Sequence, residues 1–151
     1  MTIADLIGAD RVLLDLRAAT KAQALRDLAR RAAAALGLNQ GAVLGAVLRR
    51  EELGSTGLGK GFALPHARIP GLSAPFALFA RLAKPIDFAA IDQRPVDLVV
   101  LLLTPANEAN QHLSTLAAIS RPMRDEAFVQ RLRQARDAAS VAAAMAEGGD
   151  R

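Results

Sequence analysis

Cysteine, tryptophan and tyrosine are missing from this 151-residue chain, and histidine occurs twice. Without cysteine there is no disulfide scaffold, no thiol nucleophile and no thiolate to complete a metal site; a reducing cytoplasm fits such a composition. Five phenylalanines are the whole aromatic complement, so the stacking platforms used to bind single-stranded nucleic acid are lacking. The 19 basic and 15 acidic residues leave a net charge of +4, but the two signs are interspersed, as in Arg26-Asp27 and Arg124-Asp125-Glu126, and no basic tract marks a nucleic-acid partner. No window of about 18 uncharged apolar residues exists to span a membrane. The first 15 residues carry Asp5, Asp10 and Asp15 without a basic lead-in, unlike a secretory signal.

What remains is one domain with many small apolar side chains, enough to bury a core. Residues 11–16 read as a strand. Thr20 with Gln23 forms a capping box, and Ala22, Leu25, Leu28, Ala29, Ala32 and Leu36 follow at helical spacing up to Gly37. Asn39 caps a second helix that runs to about Glu52 and carries Arg50. Phe62 to Leu64 reads as a strand with His66 at its end, and Ile69 to Ser73 as a turn. Residues 76–82 alternate as a strand ended by Lys84-Pro85, with a loop through Arg94-Pro95. Val96 to Leu103 predicts a central strand buried on both faces and terminated by Thr104-Pro105. A helix starts near Asn110 with His112 in its first turn, and Pro122 kinks or ends it. Asp125 and Asp137 start two more helices, and residues 147–151 form a frayed tail.

The most unusual stretch is Gly54 to Arg68, in which four glycines, Ser55 and Thr56 precede Phe62-Ala63-Leu64-Pro65-His66. Glycine clusters serve tight turns or close backbone approaches. Gly54-x4-Gly59-Lys60 imitates a phosphate-binding P-loop, but Gly61 stands where a hydroxyl should bind Mg²⁺, and a strand with Pro65 follows where a helix is needed. The two histidines, 46 positions apart, have no further ligand at metal-site spacing. Ser55 and His66 lack the Gly-x-Ser-x-Gly elbow of a hydrolase. Nucleophilic attack by His66 on a phosphoryl group suits the composition better. A neutral imidazole with a pKa near 6.5 is available at neutral pH, and donors for the added charge are present in Ser55, Thr56, the backbone N–H groups of 57–61, Arg50 or Arg68, and His112. Residue chemistry alone leaves this level with a plainer reading, in which His66 ends a strand, the hydroxyls make turn bonds and His112 is a surface residue of a helix's first turn.

Arg50-Glu51-Glu52-Leu53-Gly54-Ser55-Thr56-Gly57-Leu58-Gly59 and Gly61-Phe62-Ala63-Leu64-Pro65-His66 resemble the signature of the IIA component of the phosphoenolpyruvate-dependent sugar phosphotransferase system, mannitol/fructose class. The likeness is greatest to its nitrogen-regulatory branch. Lys84-Pro85-Ile86-Asp87-Phe88, Ala90-Ile91-Asp92, Pro95-Val96-Asp97-Leu98 and Gln111-His112-Leu113 extend it over residues 3–145. The resemblance implies a single α/β domain with a mixed sheet flanked by helices. It implies that His66 accepts a phosphoryl group, at Nε2, from the phosphohistidine of an HPr-type carrier, without cofactor or metal. His112 would assist from beside it, and Arg50 and Thr56 would hold the phosphate. Ala67-Arg68 follow His66 where glycine is frequent in the family, and Ser55 and Arg68 are further phosphate-binding candidates. Regulatory protein targets, or a separate EIIB with its permease, are the implied onward partners; a binding module of the same fold that works without phosphorylation is the alternative.

Overall fold

The computed structural model describes residues 1–148. Its strands are β1 (Val12–Leu16), β2 (Gly57–Gly59), β3 (Phe62–Ala63), β4 (His66–Ile69), β5 (Phe76–Ile86) and β6 (Val96–Pro105). Its helices are α1 (Ile3–Leu6), α2 (Lys21–Leu36), α3 (Gln40–Glu52), α4 (Ala109–Ser120), α5 (Glu126–Gln134) and α6 (Ala138–Gly148). The strands form one six-stranded mixed sheet in the order β1-β5-β6-β3-β2, with β4 also on β6. This is the single α/β domain with a mixed, helix-flanked sheet that the sequence resemblance implies.

β6 is the centre. It runs antiparallel to β5 on one edge, and on the other pairs parallel first with β3 and then with β4. Successive side chains on a strand face opposite ways, and β6 shows it: Val99, Leu101 and Leu103 pack with α2 and α3, whereas Leu98, Val100 and Leu102 pack with α1, α4, α5 and α6. Both faces are therefore covered, which is why this strand reads as a continuous apolar run. Alanines 24, 29, 32 and 33 of α2 are buried against the sheet; their small side chains let the helix lie close.

Several boundaries differ from those read in the sequence. β5 continues through Lys84-Pro85 to Ile86. The ladder with β6 shifts between Arg81 and Ile86, and proline is accommodated at such an irregularity because no ladder hydrogen bond is asked of it. β6 includes Thr104-Pro105. Thr20 accepts a bond from the N–H of Gln23, but the Gln23 side chain accepts from Ala19 instead of Thr20, so only half of the capping box forms. The four-residue α1, capped by Thr2 and Asp5, has no counterpart in the sequence reading. α4 stops at Ser120 before a 3₁₀ turn opened by Pro122, Asp125 caps α5, and Asp137 accepts from Ser140 at the start of α6. Glu147 and Gly148 are helical; residues 149–151 of the expected frayed tail lie outside the described residues.

Arg81, on β5, donates from Nη1 to the carbonyls of Leu132, Arg133 and Ala135 at 3.0, 3.0 and 2.8 Å. It satisfies carbonyls that the end of α5 leaves without helical partners. Arg81→Met is expected to lower unfolding free energy by about 3 kcal/mol, the scale of losing charge-assisted bonds to partly buried acceptors. A urea midpoint unchanged from wild type would remove this role.

Candidate functional site

The glycines of 54–61 build a hairpin. Lys60 and Gly61, with φ of 57° and 80°, turn β2 into β3. A Cβ on Gly57 would lie 2.8 Å from the backbone of Ala90, and one on Gly61 would lie 2.5 Å from the Arg133 guanidinium and 2.8 Å from Asp97. These two positions need glycine for packing as well as for backbone freedom. Lys60, the false P-loop lysine, points to Glu126 at 3.6 Å.

After β3 the ladder along β6 is interrupted. Leu64 and Pro65 lie between two short strands, and the Pro65 carbonyl accepts from Leu102 N–H at 2.9 Å. His66 thus opens β4 opposite Leu102, and does not end the strand of residues 62–64 as the sequence reading has it. The same parallel pairing sets Thr104 opposite Arg68, and the chain then turns at 106–107 into α4, bringing His112 back to His66. The two imidazole centroids are 5.5 Å apart, with their planes inclined by 49°.

Both rings are half-buried and each is tethered through Nδ1. His66 Nδ1 lies 2.8 Å from the Leu64 carbonyl. A carbonyl only accepts, so Nδ1 carries the proton and Nε2 has the free lone pair. His112 Nδ1 lies 2.5 Å from the Thr104 hydroxyl. With Arg49, Arg50, Leu53 and Arg68 the histidines line an open cleft of about 340 Å³. Arg50 is oriented by donating to the Gly54 carbonyl at 2.8 Å, and Arg68 by donating to the Ala106 carbonyl. A larger cavity of about 650 Å³ beside Arg17, Gln23 and Lys84 has no histidine, hydroxyl or carboxylate in its wall.

Four of the six candidate side chains are thus brought together: His66, His112, Arg50 and Arg68. Ser55 and Thr56 are not in the cleft wall. The Ser55 hydroxyl donates to the Phe88 carbonyl at 2.8 Å and accepts from Gly57 N–H at 3.0 Å. The Thr56 hydroxyl donates to the Glu51 carboxylate, which also receives Thr56 N–H at 3.2 Å. Glu51 in turn pairs with Lys21 at 2.7 Å. Arg49, Leu53 and Thr104 are the site residues that sequence reasoning passed over. Arg49 and Leu53 had a signal in their nearness to Arg50, but Thr104 had none beyond its place at the end of β6.

Both imidazoles are held below their ordinary pKa. For His66 burial is the main cause, and the Arg50 charge adds to it against the opposing pull of the Leu64 carbonyl and Glu51. For His112 burial comes first, followed by repulsion from His66 and Arg68. The folded state consequently holds its histidines neutral where an unfolded chain would begin to protonate them. That contribution to stability is fully present above the unfolded value near 6.5 and is lost as pH falls through the folded values. Between about pH 7.5 and about pH 5 the urea midpoint is expected to fall more steeply for the wild type than for a His66→Gln/His112→Gln variant. Parallel curves would show that the two rings carry no such linkage.

This three-layer fold is shared with solved IIA proteins. A nitrogen regulatory protein IIA-Ntr from Neisseria meningitidis superposes with a TM-score of 0.89 at 29% identity, over 95% of this chain and 98% of that one. The mannitol IIA of Escherichia coli, solved in complex with phosphorylated IIB, shares the fold at a TM-score of 0.77 and 22% identity, over 93% and 97%. Residues 5–148 match the family described as phosphoenolpyruvate-dependent sugar phosphotransferase system, EIIA 2. The chain belongs to that family. Within it, a nitrogen regulatory protein of Bradyrhizobium diazoefficiens is 44% identical over 146 residues, covering 97% of this chain and 95% of that protein, and one of Escherichia coli K12 is 39% identical over 117 residues, covering 77% and 72%. Among the described residues no helix is long and apolar enough to cross a membrane.

Proposed function

We propose that His66 is a phosphoryl acceptor in a nitrogen-related phosphotransferase relay, loaded by the phosphohistidine of an HPr-type carrier in the cytoplasm, and that the added charge selects regulatory protein partners. The observation that carries this reading is the tether of His66: with Nδ1–H bonded to the Leu64 carbonyl, the ring presents its lone pair at Nε2, in a cleft whose wall also holds Arg50, Arg68 and His112.

In the transfer step the Nε2 lone pair forms the new N–P bond while the carrier's N–P bond breaks, and the electron pair of that bond returns to the carrier imidazole. The His66 ring becomes an N-phosphoryl imidazolium. Its Nδ1–H keeps the Leu64 carbonyl, now as a charge-assisted bond, and the carrier ring, which enters as an N-phosphoryl imidazolium protonated on its other nitrogen, leaves as a neutral imidazole. Phosphoryl transfer asks a protein chiefly for in-line positioning and charge stabilisation. Arg50 and Arg68 supply the positive charge, and Ser55, Thr56 and Glu51 act from behind by fixing the loop that orients Arg50. Their side chains stabilise the wall, and a direct phosphate contact is not part of this reading.

The test is mass measurement of the intact protein after incubation with phosphoenolpyruvate, the first enzyme of the system and an HPr-type carrier. Gain of one phosphoryl group, mapped to the peptide containing His66, is the expected result. No gain with a folded protein and a carrier of the same organism would overturn the relay and favour a binding module that works without phosphorylation.

A further inference from the structure

The least explained contact at the site is the one behind His112. Thr104 is completely buried, and its hydroxyl meets His112 Nδ1 at 2.5 Å. Two arrangements fit that distance. In one, Nδ1–H donates to the hydroxyl, and the hydroxyl proton must then find another acceptor. In the other, the hydroxyl donates to the Nδ1 lone pair, and the ring proton sits on Nε2. Among the described residues the Thr104 hydroxyl makes no second hydrogen bond, and at zero exposure bulk solvent does not touch it. A buried donor left without an acceptor is costly, whereas an acceptor with an unused lone pair is not.

We propose that Thr104 is a positioning residue that donates to Nδ1 of His112 and thereby fixes the ring as the Nε2–H tautomer, so that His112 offers a neutral N–H donor to an anion in the cleft. The two facing imidazoles are then complementary: His66 is held as Nδ1–H with a lone pair at Nε2, and His112 as Nε2–H with its lone pair occupied. One ring attacks and the other donates. Were His112 the opposite tautomer, two lone pairs would converge on an oxyanion. The identity of that anion as a phosphoryl group rests on the relay reading above; the tautomer does not.

Long-range ¹H–¹⁵N correlation of the imidazole nitrogens in the unphosphorylated protein, at a pH where both rings are neutral, reads the tautomers directly. His112 is expected to show a protonated Nε2 and an acceptor-type Nδ1, with the reverse pattern at His66 as an internal reference. Thr104→Ser should keep the His112 pattern, and Thr104→Val should turn it into a tautomer mixture. The rate of phosphoryl loading should stay near wild type for Thr104→Ser and fall about tenfold for Thr104→Val, the size expected for losing the orientation of one donor. A wild-type His112 protonated at Nδ1 overturns the proposal without any variant. So does a Thr104→Val protein with unchanged ring shifts. Failure of wild-type loading, with the ring pattern as expected, would defeat the relay reading and leave the tautomer assignment standing.

Discussion

His66→Ala is expected to carry no phosphate after incubation with the complete relay, while His112→Ala is still labelled but about a hundredfold more slowly. The asymmetry follows from the tethers and not from proximity, since the rings are near neighbours at 5.5 Å. His66 commits only its Nδ1–H to a hydrogen bond and keeps a nucleophilic Nε2. His112 spends its Nδ1 on Thr104, and the proton this places on Nε2 makes it a donor. The chain has no thiol to take over, and the nearby hydroxyls of Ser55 and Thr56 are committed to Phe88 and Glu51. Removing a preorganised donor to a developing charge costs on the order of a hundredfold or more, which sets the size expected for His112→Ala. Acid-labile, alkali-stable label on the wild type and on His112→Ala, and none on His66→Ala, is the predicted pattern. Label persisting on His66→Ala would place the acceptor elsewhere, and an unchanged rate for His112→Ala would take that ring out of the reaction.

The sequence makes the major elements legible because their patterns are local. Alternation marks β5, a continuous apolar run marks β6, and cap residues Thr20, Asn39 and Asp125 start helices where the structure has them. The failures are tertiary. Leu64-Pro65 looks like the continuation of a strand, yet the chain breaks its ladder there and resumes it at His66 along the same neighbour. Lys84-Pro85 looks like a terminator, yet β5 passes through it where the ladder with β6 is already out of register.

At the site, sequence shows donors but not their acceptors. Ser55 and Thr56 are polar residues next to a glycine hairpin, a fair description of phosphate ligands. Their acceptors, 33 residues away at Phe88 and five residues back at Glu51, become visible only in the fold. The meeting of His66 with His112 was equally invisible to spacing and came from the family resemblance alone; the parallel register of β4 on β6 explains it. The glycines show the reverse case. They look like a ligand cradle, and the structure uses Gly57 and Gly61 to admit the Ala90 backbone and the Asp97–Arg133 pair.

Glu51→Ala is expected to be the most damaging single change outside the apolar core, lowering unfolding free energy by about 3–5 kcal/mol. The Glu51 side chain is only 6% exposed, and it is the common acceptor for Lys21, the Thr56 hydroxyl and the Thr56 N–H. Removing it leaves two donors of a residue that is 2% exposed without an acceptor. It also removes the carboxylate partner of the Lys21 ammonium, which keeps only the Phe88 carbonyl at 3.4 Å and the Phe88 ring at 4.6 Å. Losing one partner of a buried pair costs far more than the pair contributes over apolar substitutes, because the remaining charge is uncompensated. Two further variants separate these causes. Glu51→Gln keeps an oxygen for Thr56 and should lose only about 1–2 kcal/mol. Adding Lys21→Met to Glu51→Ala should recover part of the loss by deleting the stranded charge, and a double-mutant cycle measures how much. The same substitution should reach the chemistry: Arg50 takes its direction from the Gly54 carbonyl, two residues before Thr56, so a loop no longer pinned by Glu51 lets that guanidinium wander and slows loading of His66 even in the folded fraction. A stability loss below about 1 kcal/mol would mean that the network behaves as a solvent-exposed ion pair, and the link from α2 through Glu51 to the cleft would fall with it.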